Sequence, residues 1–309
     1  MVSAGLNPAP GTNSSQECPR SGGRGRPERP PLLGTLGFMV WLNSVKATSW
    51  GFVALAFVAY AALLVFANQI FFEQNWQRPI DGVTHGLVEA SLQVGVLFFL
   101  GIGALFRWVG KLGWHDLALM RSKLLSGIGW TLAVWVVAQL VQLLQSGADV
   151  AWASAWSTHQ VGGFLGQIFG NALQEEIFFR AFLISQIFLL LRAGGKRRAV
   201  PALIAALIIS QMLFAVMHAP NRLYNGRYDS FEAVWQDQAA LFIAGLFLSG
   251  YFLLTNNLFF AVGVHALANR PMPLVEGANF QVLTEPLLAF LIFLALWRRW
   301  RRAPQAKPG

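Results

Sequence analysis

Apolar residues recur along this chain in runs that no soluble domain needs. They fall near 50–72, 84–106, 124–144, 163–191, 200–217, 237–254, 258–269 and 281–297. Roughly 20 apolar residues cross a bilayer as a helix. The pattern therefore predicts an all-α membrane protein, a bundle of about eight transmembrane helices enclosing a polar site. The fourth run is too long for one crossing and predicts a short half-helix or re-entrant turn, then a full span from near Gln174. The seventh is short, as expected of a helix whose polar end is sheltered by its neighbours. Five regions follow. Residues 1–31 form a basic tail rich in Pro, Gly, Ser and Arg, expected to be disordered because it has too little apolar surface to bury, and lacking the apolar core of a secretory signal. Residues 32–48 predict an interfacial helix and linker, since Leu32 to Leu42 is about half the length of a span. Residues 49–123 hold the first two spans and a basic loop, 124–297 the main bundle, and 298–309 a basic cytoplasmic tail.

Polar residues that interrupt this pattern carry the chemistry. Glu175, Glu176 and Arg180 lie in the apolar stretch Gln174-Glu175-Glu176-Ile177-Phe178-Phe179-Arg180, where each charge costs roughly 2.5–3.5 kcal/mol at the centre of a membrane helix. Two further apolar segments bring His218 and then His265 with Asn269. Glu176 and Arg180 are four apart and share a helix face, so they can neutralise each other, whereas Glu175 points about 140° away from Arg180. That leaves Glu175 as the reactive carboxylate. His265 and Asn269, also four apart, are expected to face one cavity, and Phe214, one turn before His218, to wall it. Alternating spans put Glu175 at the outer start of the fourth, His218 at the outer end of the fifth, and His265 and Asn269 in the outer half of the seventh. Agreement in depth among three helices argues for one shared site.

Charge then sets orientation. Of the 23 Lys and Arg residues, 18 fall in segments on one side of the alternation, among them Arg24, Lys46, Arg107, Lys111, Arg121, Lys123, Arg192, Lys196, Arg197 and the Arg298, Arg299, Arg301, Arg302 run, which also suits anionic lipid. Arg78, Arg222, Arg227 and Arg270 lie on the other. The positive-inside rule makes both termini cytoplasmic. Trp76, Trp152, Trp156 and Trp235 would form one interfacial belt, and Trp108, Trp114, Trp297 and Trp300 the other. The +9 net charge is spread over these loops rather than gathered in a patch, so nucleic acid is not an expected partner. A single cysteine, Cys18, excludes an intrachain disulfide framework and a cysteine metal cluster. His85, His115 and His159 read as helix-end or loop residues without a site role, and Glu89, one turn into the second span, as a neutral or snorkelling acid rather than a catalyst.

The ordered set Glu175-Glu176-x-x-x-Arg180, Phe214-x-x-x-His218 and His265-x-x-x-Asn269, the last after Thr255-Asn256-Asn257-Leu258, resembles the CPBP family of CAAX proteases and bacteriocin-processing enzymes, also called the Abi family. The resemblance runs from about Leu124 to Asn269. It implies an eight-helix intramembrane endopeptidase acting on a membrane-bound, lipidated or hydrophobic peptide, with membrane lipid as its other partner and a bacterial cytoplasmic membrane as its setting. The catalytic set so implied is Glu175, Glu176, His218, His265 and Asn269, supported by Arg180 and Phe214. Glu175 with His218 would activate water, and His265 with Asn269 would stabilise the oxyanion. The family view leaves two chemistries open: zinc held by Glu175, His218 and His265, or a metal-free glutamate base. The second is favoured slightly, because Asn269 is a poor zinc ligand and a natural oxyanion donor. The chain departs from the family at Ala181, where glycine is common, and in a long loop expected over Ala219 to Gln236, a candidate lid over a cavity opening outward. Two other classes compete. A proton-coupled transporter should show repeated halves with paired broken helices, and no internal repeat is found. A non-catalytic scaffold of the same fold should have lost a motif residue, and none of the four is lost.

Overall fold

The computed structural model describes residues 33–146, 152, 156–193, 195 and 198–275. The predicted eighth span, both tails and Trp297 and Trp300 lie outside the described residues. Within them the chain is helical, without strands: α1 (Leu33–Ser44), α2 (Trp50–Phe66, continued by π-turns over Ala67–Phe72), α3 (Arg78–Val83), α4 (Ala90–Val109), α5 (Arg121–Ser146), α6 (158–192), α7 (Ala199–Tyr224), α8 (Phe231–Thr255) and α9 (Leu258–Asn269). Five helices, α2, α4, α5, α7 and α8, are long and apolar enough to cross a membrane. This is a multi-pass membrane protein.

Several sequence expectations are corrected. The long fourth run does not break into a half-helix and a span. It is helical throughout 158–192, with π-turns at Gln167–Asn171 and Glu176–Leu183, and is about 50 Å long at ~1.5 Å per residue. The π-turns absorb the irregularity that the pattern suggested, because each adds a residue to a turn without ending the helix. Glu175 consequently stands at the midpoint of α6 rather than at an outer start. The loop expected over Ala219 to Gln236 is mostly helix as well: α7 runs through Pro220 to Tyr224 and α8 begins at Phe231, leaving only 225–230 as the connection. A proline inside a packed apolar helix forfeits one backbone hydrogen bond but does not stop it. Glu89 occupies the N-cap position of α4, outside the span, with Arg270 3.9 Å away. The α1 helix forms where an interfacial one was expected, yet Phe38, Trp41 and Leu42 are buried. Phe38 and Trp41 each make edge contacts to Phe252 of α8 at 5.4 Å, so that face of α1 is packed into the bundle.

Two devices hold α6 in the middle. Its upper half crosses α4 with almost no side chain between: a Cβ added at Gly170 would lie 2.1 Å from the Ser91 carbonyl oxygen, and one at Gly95 2.5 Å from Gly170 Cα. Small residues permit such approach where no hydrophobic force draws helices together in lipid. Its lower half packs by aromatic contacts, with Tyr60 stacked on Phe178 at 4.2 Å and Phe106 tilted against Phe182 at 4.4 Å between ring centroids. The short α9 is set by the junction that precedes it. Asn256 ends α8 in the left-handed conformation at φ 49, and Asn257 accepts from the Phe260 N–H while its amide donates to the Lys123 carbonyl at 2.9 Å. Asparagine suits both tasks, tolerating positive φ and capping a helix start.

Contacts between the connections gather at two ends of the bundle. Residues 41–48 meet 111–116 and 186 at one end: Trp41 donates to the His115 carbonyl at 2.8 Å, and Thr48 N–H to Gln186 Oε1 at 2.8 Å. At the other end Asn269 meets Gln167, and Leu274 meets Gln139. Trp76, Trp152, Trp156 and Trp235 are exposed, as are Trp108 and Trp114.

Candidate active site

Three helices bring the sequence candidates together. Glu175 and Glu176 come from the centre of α6, His218 from α7, and His265 from α9. Glu176 and Arg180 are both completely buried, and their pairing is as the spacing requires, Arg180 Nη1 lying 3.2 Å from Glu176 Oε1. Phe214 is central: the Arg180 guanidinium sits 4.1 Å from its ring centroid, and the His218 and His265 rings approach its other sides at 4.7 and 6.3 Å. A fully buried arginine is stabilised here by a carboxylate and an aromatic face together. Ser210 ties α7 to the π-turn of α6, donating to the Phe179 carbonyl at 2.6 Å.

Hydrogen-bond partners assign the histidine tautomers. His218 Nδ1 faces the Phe214 carbonyl at 2.8 Å and must donate to it, since a carbonyl can only accept. His265 Nδ1 donates to Glu176 Oε1 at 2.8 Å, so Glu176 serves two partners, Arg180 and His265. The second was not foreseen from spacing. Both Nε2 atoms face the same carboxylate oxygen, Glu175 Oε2, at 3.6 Å from His265 and 4.0 Å from His218. That oxygen is buried without a hydrogen-bond partner among the described residues. The distances exceed a direct hydrogen bond but suit one bridging molecule such as water.

Asn269 is placed differently from expectation. It is exposed, and its amide donates to Gln167 Oε1 at 2.9 Å, away from the contacts that join His265 to the two glutamates. Sequence reading also missed Gln167 and its followers Asn171 and Gln174, with Gln174 Nε2 donating to Asn171 Oδ1 at 3.2 Å. These lie on one stripe of α6, from half-buried Gln167 to buried Gln174, leading from the Asn269 end to Glu175. Their four- and three-residue spacing was the available signal.

A zinc site was the other expectation for Glu175, His218 and His265. Ligands of a tetrahedral zinc with bonds of about 2.1 Å lie ~3.4 Å apart, and the two measured separations are longer. Among the described residues no three His, Cys, Asp or Glu side chains are gathered closely enough to hold an ion.

Residues 156–270 match the family model of the type II CAAX prenyl endopeptidase, Rce1-like, just over a third of the chain. The likeness to the CAAX proteases is therefore one of this segment. It contains every motif residue named above, from Glu175 to Asn269. No curated protein and no solved structure matches the chain. The CAAX protease family is a family of membrane-embedded proteases, so the buried cluster lies in the segment that carries the match.

Proposed function

We propose that this CAAX protease-family chain is an intramembrane endopeptidase that hydrolyses a peptide bond in a lipidated or otherwise membrane-associated peptide, using water activated by Glu175. The observation that carries the reading is the convergence of the His218 and His265 Nε2 atoms on the unpartnered Glu175 Oε2. A water bridging these atoms gives one proton to Glu175 as its oxygen bonds to the carbonyl carbon. His218, a quarter exposed against 8% for the Glu175 side chain, marks the side from which substrate arrives. As the tetrahedral intermediate collapses, the proton moves to the departing amine nitrogen and the C–N bond breaks. His265, fixed by Glu176, holds the water in line. Asn269 supplies the amide donor for the oxyanion after leaving Gln167, an exchange that gives up one exposed hydrogen bond worth about 0.5–1.5 kcal/mol.

No metal takes part in this scheme, and zinc held by Glu175, His218 and His265 is the competing reading. We place both termini in the cytoplasm, which puts the Asn269 and Gln167 end of the site, with its polar stripe, on the extracytoplasmic side. The deciding experiment compares the membrane proteome of cells carrying wild type or Glu175→Gln. Uncut peptides should accumulate only in the variant, with the variant protein folded and present in the membrane. Equal processing in both would refute the assignment.

A further inference from the structure

A cavity of about 540 Å³ opens among residues of α4 and the 110–117 loop, within the ~300–1,000 Å³ range of small-molecule sites. Phe98, Phe106 and Ile177 form its inner wall, and Arg107, Trp108 and Lys111 are among the residues nearer its basic end. Among the described residues no carboxylate lines it. Asp116, bonded to the lining residue Gly113, is occupied by two backbone N–H groups, those of Lys46 and Gly113, at 2.8 and 2.7 Å. Lys46 lies there too, its Nζ donating to the Lys111 carbonyl at 3.2 Å. Trp108 and Trp114 are 76% and 69% exposed, as interfacial tryptophans at headgroup level are.

We infer that this cavity binds one anionic phospholipid, an acyl chain running inward along Phe98, Phe106 and Ile177 and the phosphate held by Arg107 and Lys111. Charge complementarity decides the occupant. An aromatic chamber alone would accept any lipid tail, but its cationic mouth at the interface selects a negative headgroup. The site is separate from the catalytic cluster, since Ile177 is two residues past Glu175 and points to the other side of α6. Because Ile177 adjoins Glu176, a seated chain braces the α6 segment that positions His265.

The test is native mass spectrometry of the full-length protein released from detergent with equimolar phosphatidylglycerol and phosphatidylcholine. Wild type should keep one phosphatidylglycerol in preference to phosphatidylcholine. Each basic residue near a membrane surface contributes roughly fivefold, so Arg107→Gln with Lys111→Gln should lower that preference roughly 25-fold. Both side chains are exposed, so the fold is expected to survive, and unchanged elution on size exclusion verifies it. Ala104→Phe, which fills the chamber, should abolish retention of either lipid. The same result is expected in a Glu175→Gln background, which separates the lipid site from catalysis. Equal retention of the two lipids, no change in the double variant, or displacement of phosphatidylglycerol by farnesyl-cysteine methyl ester at equal concentration would overturn the inference.

Discussion

Glu176→Gln tests the architecture at its most exposed assumption, that one buried carboxylate holds two partners. The substitution keeps the shape and removes the charge. Arg180 is wholly buried, its only carboxylate contact is Glu176 at 3.2 Å, and its three guanidinium nitrogens make no further hydrogen bond among the described residues. The Phe214 ring at 4.1 Å offsets only ~2 kcal/mol of an unpaired cation. Removing one partner of a buried pair costs about 3–5 kcal/mol, a large part of the 5–15 kcal/mol that typically separates folded from unfolded chains. The His265 Nδ1 bond at 2.8 Å is weakened at the same time, since a neutral amide oxygen replaces a charged acceptor. The assay is the folded fraction in mild detergent by size exclusion against denaturant. Glu176→Gln should unfold at distinctly lower denaturant than wild type. Glu176→Leu combined with Arg180→Met should recover most of the loss, because removing both charges together leaves none unpaired. Wild-type stability in Glu176→Gln, or a double variant no better than the single one, would refute the pairing argument.

Chemistry, packing and orientation give the remaining predictions. Glu175→Gln should cut peptide hydrolysis by about 10²–10⁴-fold, the usual worth of a positioned base, with stability unchanged; retained turnover would reassign the base. Purified protein should stay active after chelation and carry far less than one equivalent of zinc by elemental analysis. One equivalent of zinc, lost in His218→Ala together with activity, would restore the metal reading. Gly95→Ala should destabilise the protein by about 1–3 kcal/mol, since its methyl group meets the α6 backbone at 2.5 Å, whereas Gly101→Ala in the same helix meets nothing within 4 Å and should be neutral or slightly stabilising; equal melting of the two would sink the close-crossing account. In a Cys18→Ser background, a membrane-impermeant thiol reagent on intact cells should label Asp229→Cys and spare Ser122→Cys. Both positions are exposed, at opposite ends of the bundle, and the reverse pattern would invert the orientation.

Helix positions were legible where one physical cause acted alone. Apolar length fixed 50–72 and 258–269 to the residue, because lipid or protein surrounds those helices on every side and their ends are marked by Ser49 and Asn257 as caps. Where a second cause intervened, the pattern misled. Pro220 and the polar residues after His218 look like a loop, yet α7 continues because its backbone bonds are satisfied locally and Arg222 finds Asp237 at 3.4 Å. Likewise 163–191 is too long for a perpendicular span, and length cannot distinguish a break from an uninterrupted helix carrying π-turns.

The site was legible along one helix and obscure between helices. Four-residue spacing gave Glu176 with Arg180 and freed Glu175, because that relation is fixed by helical geometry alone. It also paired His265 with Asn269, and there the geometry divides them: one faces the buried glutamates and the other the exposed Gln167. A helix face is wide enough to hold both orientations, and only the neighbouring helix chooses. The same limit hid the double duty of Glu176, since no spacing relates residue 176 to residue 265. What makes Glu175 available is therefore not its own surroundings but the loyalties of the residue beside it. Glu176 takes the Arg180 charge and the His265 Nδ1 contact, and so leaves the neighbouring carboxylate oxygen facing two imidazole nitrogens with no hydrogen-bond partner among the described residues. Two adjacent acids are needed in this bundle because one of them must be spent on structure for the other to remain reactive.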